Sequence, residues 1–369
     1  MRFYRVLRLK VARRRRSIDC KILEMVRLRA DGRGLDLPPT PLLEVPGFAR
    51  IAGVARVLIK MESERWLGSF KSLGGAFAAL RLIADRTGYS VEDILSGRAL
   101  PVRPRIVCAS AGNHGLAVAA MGKIVGADTT IYLHCKANPI RAKRILDTGA
   151  RIEWVEGTFD DAAAAAVRAA SSEGGILVPD TSDEPESRAV SYVMEGYSVI
   201  PVELAQQFAE RDLFPSHLFV QAGVGGLAAA LAVGMRHADR PPKLIVVEPV
   251  SAACVGHALL SGGIEPVPGD LTTSAEMLAC GLASAPAVKA LKSYCALAMT
   301  ASENHLVYAR ECFRNNLQVA TTASGATGLA GLMATAADPT IRKNFELDKQ
   351  SVVCLVLSEG DPQCLSHTR

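Results

Sequence analysis

Ile106-Val107-Cys108-Ala109-Ser110-Ala111-Gly112-Asn113-His114-Gly115 runs from an apolar stretch through a small, polar turn into the helix-forming segment Leu116 to Val125. A strand that enters a helix through such a turn is half of a β-α-β unit, and the pattern repeats. Thr130-Ile131-Tyr132-Leu133 precedes a helix at Pro139 to Thr148, Ile152-Glu153-Trp154-Val155 precedes one at Asp160 to Ser171, and Ile176-Leu177-Val178 follows. A second series opens at Leu218-Phe219-Val220 with a helix at Leu227 to Met235. It continues through Leu244-Ile245-Val246-Val247 and closes on Val352-Val353-Cys354-Leu355-Val356. Such alternation predicts parallel sheets with right-handed crossovers. The break between the series, from about Pro179 to Tyr197, predicts an α/β protein of two parallel-sheet domains facing across a cleft. Ligands of such folds bind at the carboxyl ends of the strands.

Composition agrees with an α/β enzyme. The 369 residues are 49% hydrophobic but only 5% aromatic, a balance of small and branched side chains suited to parallel strands covered by helices. The net charge of +5 is concentrated at the start, where Arg13-Arg14-Arg15-Arg16 ends a run of basic residues with no acid before Asp19. That arm, residues 1–37, is read as an extension, with a transit peptide or nucleic-acid contact as alternatives. No run of 18 apolar residues and no signal-peptide core is present, so neither membrane nor secretion is expected. Nine cysteines, scattered without a C-x-x-C pair, fit reduced thiols in a cytoplasmic protein. The histidines have no metal-ligand spacing, and no metal site is expected.

Four segments carry candidate chemistry. Lys71 lies in Ser69-Phe70-Lys71-Ser72-Leu73-Gly74-Gly75, between the strand-like Val57-Leu58-Ile59 and a helix from Ala76 to Ile83. At a helix N-terminus the macrodipole disfavours the ammonium, and a neutral amine condenses with an aldehyde. Lys71 is therefore a candidate Schiff-base lysine, against the plain alternative of a solvated one. The loop Ser110, Ala111, Gly112, Asn113, His114 offers backbone N-H groups to an anion, or is an ordinary helix cap. Gly223-Val224-Gly225-Gly226-Leu227 leaves a strand and opens a helix, as a phosphate cradle does, and a Cβ at Gly225 is expected to occupy space the phosphate needs. With Ala228 it also satisfies G-x-G-x-x-A, and Glu248 ends the next strand where a nicotinamide site places its ribose acid. Ser358-Glu359-Gly360 offers a hydroxyl or a carboxylate to a heterocyclic nitrogen, or is a capped turn.

Taken in order, these motifs resemble the fold-type II pyridoxal-phosphate enzymes, the tryptophan synthase β-like family of threonine and serine dehydratases and cysteine synthases. Within it the likeness is to the diaminopropionate ammonia-lyases, and it runs from about Pro39 to the C-terminus. Asp180-Thr181-Ser182, Met194-Glu195-Gly196-Tyr197, Val247-Glu248-Pro249, Met277 to Ala283 and Ser324 to Leu329 support it. The resemblance implies a large cofactor-binding domain from 38–79 and 190–369 and a small α/β domain from 80–189. It implies that Lys71 holds pyridoxal 5'-phosphate and takes the substrate's α-proton. Asn113 contacts the ring oxygen, residues Ser110 to His114 bind the substrate carboxylate, Gly223 to Leu227 hold the phosphate, and Ser358 faces the ring nitrogen. A neutral hydroxyl there favours expulsion of a β-substituent over a long-lived carbanion. Asp160 or Asp161 is expected to recognise a β-ammonium or to protonate departing ammonia, the alternative being a helix-capping pair. The resembling lyases carry an acid at the position of Ala111, so a D-amino acid is not expected as substrate.

The leading expectation is α,β-elimination from a small L-amino acid, such as 2,3-diaminopropionate, serine or threonine, to a 2-oxo acid and ammonia. A homodimer with a small amino-acid substrate and no nucleic-acid or membrane partner is expected. A β-replacement synthase, a nicotinamide-dependent oxidoreductase and an inactive cofactor-binding protein are the competing readings.

Overall fold

The computed structural model describes residues 37–97, 100, 102–172, 174–238 and 240–364, so the basic arm lies outside the described residues except for Leu37. Ten strands form two sheets. They are β1 (Leu42–Glu44), β2 (Arg56–Met61), β3 (Arg105–Ala109), β4 (Asp128–His134), β5 (Arg151–Val155), β6 (Ile176–Leu177), β7 (His217–Gln221), β8 (Lys243–Pro249), β9 (Leu297–Ala301) and β10 (Val352–Leu357). The large sheet has the order β1-β2-β10-β7-β8-β9 and the small sheet β5-β4-β3-β6. Every pairing is parallel except β1 with β2. The fold is the α/β class that the alternation predicts.

The strands that meet the site are apolar along their central residues. Val57, Leu58 and Ile59, Phe219 and Val220, and Val353 to Leu357 are each 2% exposed or less, as expected of strands covered by helices on both faces. Because β10 lies between β2 and β7, with Cys354 opposite Leu58, the last strand delivers residues 358–360 beside the segment that follows β2. Ser69 bridges Glu359 there.

Six helices concern the site: α1 (Lys71–Thr87), α2 (Asn113–Ile124), α3 (Arg188–Tyr197), α4 (Gly226–Met235), α5 (Cys254–Ser261) and α6 (Ala323–Ala337). Helix α1 buries Leu73, Ala76, Phe77, Leu80 and Ile83 completely, and its glycines let neighbours approach the backbone. A Cβ on Gly74 would stand 2.3 Å from Tyr197 Cε1 of α3, inside van der Waals contact.

Three elements were not foreseen in the sequence. The expected break from Pro179 to Tyr197 contains α3, whose inward residues Val190, Val193 and Tyr197 recur at helical spacing. Strands β1 and β9 were not read from the sequence. β1 has only three residues, and β9, at the sheet edge, keeps four of five residues partly or fully exposed, so neither shows a buried apolar run.

Candidate active site

Lys71 is the first residue of α1. Its Nζ donates to Asp180 Oδ2 at 2.6 Å, and the two side chains keep 23% and 22% of their surface exposed. Asp180 follows β6, so the contact joins an element of the large sheet to the carboxyl end of the small one. Burial pulls the Lys71 ammonium down, but the Asp180 carboxylate outweighs it and holds the group above the ordinary lysine range. Burial pushes Asp180 up, and Lys71 and His114 together bring it well below the usual carboxylate range. The expectation that the helix dipole leaves Lys71 neutral is thus corrected: a carboxylate in hydrogen-bond contact is a stronger influence than a helix terminus. Asp180 is the Lys71 partner that residue-level reading missed.

The Ser110 to His114 loop leaves β3 and enters α2. Ser110 Oγ accepts from Gly112 N at 3.2 Å. His114 Nε2 lies 2.9 Å from Val178 O, and since a carbonyl only accepts, Nε2 carries the proton. Burial lowers the His114 pKa, and with Nε2 bonded to Val178 O the loop's backbone is left to meet an anion. Asn113 donates through Nδ2 to Glu359 Oε2. Ala111, half-buried, contributes only a methyl group.

Gly223 to Leu227 connects β7 to α4. No side chain caps α4, and Gly225, at φ +101°, is its left-handed N-cap. The first N-H groups of a helix have no partner inside it, so this end is open to a phosphate. The expected steric role of Gly225 is corrected. A Cβ there would meet Ala287 Cβ and Val255 Cγ2, each at 3.2 Å, so the side of Gly225 faces protein and the glycine is required by its φ and by packing.

Ser358, 4% exposed, accepts from Gln221 Nε2 at 2.6 Å. The same amide nitrogen reaches Gly325 O at 2.9 Å and Val356 O at 3.0 Å. The Ser358 hydroxyl is therefore held as an acceptor, with its own proton left to donate. Glu359, the alternative partner for a ring nitrogen, is engaged by Asn113 and by Thr322 Oγ1.

Asp160 and Asp161 are not brought to this cluster. Both are exposed at the start of the helix Phe159–Ser172, and Asp161 Oδ2 accepts from Thr158 N at 2.7 Å and Thr158 Oγ1 at 2.8 Å. That is the capping alternative. They follow edge strand β5, which is separated from β3 by β4; the two outer strands lie about 10 Å apart at ordinary strand spacing. Glu248, completely buried, accepts from Val255 N at 2.8 Å and Gly256 N at 2.7 Å. Its carboxylate is spent on the N-terminus of α5, which takes the ribose acid from the nicotinamide reading. Among the described residues no three His, Cys, Asp or Glu side chains converge as metal ligands, and no helix is long and apolar enough to cross a membrane.

An amine at a helix start, an uncapped glycine-loop helix and a buried hydroxyl free to donate fit pyridoxal phosphate: amine for aldehyde, N-H groups for phosphate, hydroxyl for ring nitrogen. Comparison with known proteins points the same way. The family model described as pyridoxal-phosphate dependent enzyme matches residues 35–359. Diaminopropionate ammonia-lyase of Escherichia coli (strain K12) is 28% identical over 337 residues, covering 88% of this chain and 84% of the relative. A biosynthetic L-threonine dehydratase of Mycobacterium leprae is 30% identical over 336 residues, covering 89% and 70%. Among solved structures, Escherichia coli diaminopropionate ammonia-lyase in complex with an aminoacrylate-PLP azomethine reaction intermediate superimposes with a TM-score of 0.81 at 26% identity, covering 93% of this chain and 88% of that one. The same enzyme in complex with D-serine gives a TM-score of 0.82, also at 26% identity and the same coverage. With a family model spanning almost every described residue and a site that fits its cofactor, the chain belongs to the pyridoxal-phosphate-dependent enzymes, as a member of their fold-type II branch.

Proposed function

We propose that the protein is an ammonia-lyase that carries out α,β-elimination on a small L-amino acid of the 2,3-diaminopropionate, serine or threonine class, yielding a 2-oxo acid and ammonia. The observation that carries this reading is the Lys71 Nζ to Asp180 Oδ2 contact at 2.6 Å. Elimination needs a base at the α-carbon and a proton for the departing β-group, and here an amine and a carboxylate between which a proton can pass are held in hydrogen-bond contact in a partly open site. When bound, pyridoxal phosphate supplies an electron sink for the bond broken at the α-carbon. Lys71 holds the cofactor through Nζ and, once released, takes the α-proton. Asp180 orients that amine and relays the proton Lys71 has taken to the leaving ammonia, the task that exposed Asp160 and Asp161 are poorly placed to perform. The backbone of Gly223 to Leu227 holds the phosphate, the Ser358 hydroxyl meets the ring nitrogen, Asn113 the ring oxygen, and Ser110 to His114 the substrate carboxylate. Residues 38–79 and 190–369 form the cofactor-binding domain and 80–189 the small domain in this reading. The eight described cysteines are all free, which supports a cytoplasmic enzyme; a homodimer completes the proposal.

The test is kcat/KM for both enantiomers of 2,3-diaminopropionate, serine and threonine, with detection of the keto acid. Ala111 has no proton to give. The D-isomer should react at least about a hundredfold more slowly than the L-isomer, the lower range for a missing acid-base group. Comparable values for a D/L pair would show that a further base serves the opposite face. No keto acid from any of the three would exclude the elimination.

A further inference from the structure

Glu359 is a buried carboxyl group that the reaction as described leaves unused. It is 5% exposed, and both of its oxygens are occupied. Oε2 accepts from Asn113 Nδ2 and Oε1 from Thr322 Oγ1. Thr322 Oγ1 itself accepts from Gly325 N at 3.0 Å as the N-cap of α6, so its single proton is the one aimed at Glu359. The backbone of residue 359 is fixed as well. It bridges Ser69, its carbonyl accepts from Thr321 Oγ1 at 2.6 Å, and Gly360 N donates to Gly68 O at 3.0 Å. Glu359 is thus a rigid acceptor, anchored on the large-sheet side, reaching the first residue of α2 on the small-sheet side.

An acceptor in that position decides how an asparagine amide lies. An ionised carboxylate takes hydrogen bonds and gives none, so Asn113 must turn its nitrogen, not its oxygen, toward Glu359. Both N-H bonds of one amide nitrogen are fixed together: one goes to Glu359, the other remains. Among the described residues the Asn113 side chain makes no other hydrogen bond. The cofactor's ring oxygen, when it carries negative charge, accepts an N-H and repels an amide carbonyl.

We propose that Glu359 is a positioning residue, which acts through Asn113 by locking its amide with the nitrogen available to the cofactor's ring oxygen. This rests on the reading of Asn113 as the ring-oxygen contact. On balance burial raises the Glu359 pKa, opposed by Thr322, Arg141, Asn113 and Lys71, which support the ionised form that the lock requires; the Arg144 guanidinium faces it too.

A double-mutant cycle tests the lock. Glu359→Gln keeps the shape but replaces one of the two acceptor oxygens by a donor, so Asn113 Nδ2 and Thr322 Oγ1 no longer both find an acceptor. The dissociation constant for pyridoxal phosphate and the visible absorption maximum are measured for the unmodified holoenzyme, Glu359→Gln, Asn113→Ala and the double variant. Glu359→Gln should weaken the cofactor about tenfold and move the absorption band, yet add less than about twofold once Asn113 is alanine, a coupling of about 1 kcal/mol. Equal factors in both backgrounds, or no effect of Glu359→Gln on cofactor binding and spectrum, would overturn the proposal, because a Glu359 that merely braces the backbone acts independently of Asn113. Should Glu359→Gln not fold, Glu359→Asp in the same two backgrounds gives the same comparison at smaller amplitude. Borohydride labelling of the unmodified protein separates the two levels. Label on Lys71 with additive effects defeats this inference alone, whereas label elsewhere defeats the cofactor reading beneath it.

Discussion

Lys60 and Lys71 stand on either side of one turn, each paired with a carboxylate, and they are built for opposite purposes. Lys60 is completely buried, and its Nζ donates to Thr40 O at 2.8 Å, Glu203 Oε2 at 2.5 Å and Gln207 Oε1 at 3.1 Å. Arg65 closes the cluster through Glu62 at 2.7 Å and Glu203 at 2.7 Å. Two cations meet two anions, and every ammonium proton of Lys60 has a protein acceptor. Lys71 Nζ is hydrogen-bonded to Asp180 and lies over the Phe70 ring, and its side chain keeps a face open. Burial pulls Lys60 below the ordinary lysine range, while Asp180 holds Lys71 above it. A search for the lysine with the lowered pKa would choose the structural one. What distinguishes the lysine proposed to react is unspent hydrogen-bonding capacity on a partly exposed side chain.

That contrast breaks in two directions. Asp180→Asn should lower kcat/KM by about 10² to 10⁴, the range for a positioned acid-base group. Its Tm should change little, since a partly exposed pair stabilises the fold weakly. Glu203→Ala should do the reverse. Removing it leaves Lys60 and Arg65 against Glu62 alone, and an uncompensated buried charge costs about 3–5 kcal/mol of stability. Urea unfolding measures that loss, while kcat per folded molecule stays near its original value. If Asp180→Asn destabilised the protein more than Glu203→Ala, the assignment of roles to the two clusters would be reversed.

A smaller effect sharpens the comparison with a third buried carboxyl group that has no cation at all. Burial raises Glu248 from the usual 4.5 to about 7 despite its two backbone donors. The folded protein then holds a proton that the unfolded chain has lost, so stability falls as pH rises from about 4.5 to about 7. Glu248→Gln should remove that slope, at a cost of about 1 kcal/mol for the weaker acceptor. Tm at pH 5 and pH 8 for both proteins gives the answer, and an unchanged slope would place the titration elsewhere.

Much of this was legible in the chain because it is local. Lys71 lies where a strand gives way to a helix, and Gly223 to Leu227 punctuates β7 and α4. Ser358 ends the last apolar run. Such signals survive in a window of a few residues. Asp180 does not announce itself that way, because its partner lies in α1 and periodicity says nothing about which distant side chains meet. The available clue was its position just past Ile176-Leu177-Val178, at the carboxyl end of a strand in a parallel sheet. Asp160 and Asp161 misled for the complementary reason: acids in the first turn of a helix satisfy the helix itself. Glu248 matched a spacing, but the spacing could not reveal that the N-H groups of Val255 and Gly256 take both of its oxygens.

The central claim is that Lys71 carries the cofactor. The direct measurement is borohydride reduction of the pyridoxal-phosphate-loaded protein, followed by peptide mapping. A pyridoxyl group on Lys71, with loss of both label and turnover in Lys71→Ala, is the predicted result. Label on Lys60 or any other lysine, or turnover that survives Lys71→Ala, would contradict it.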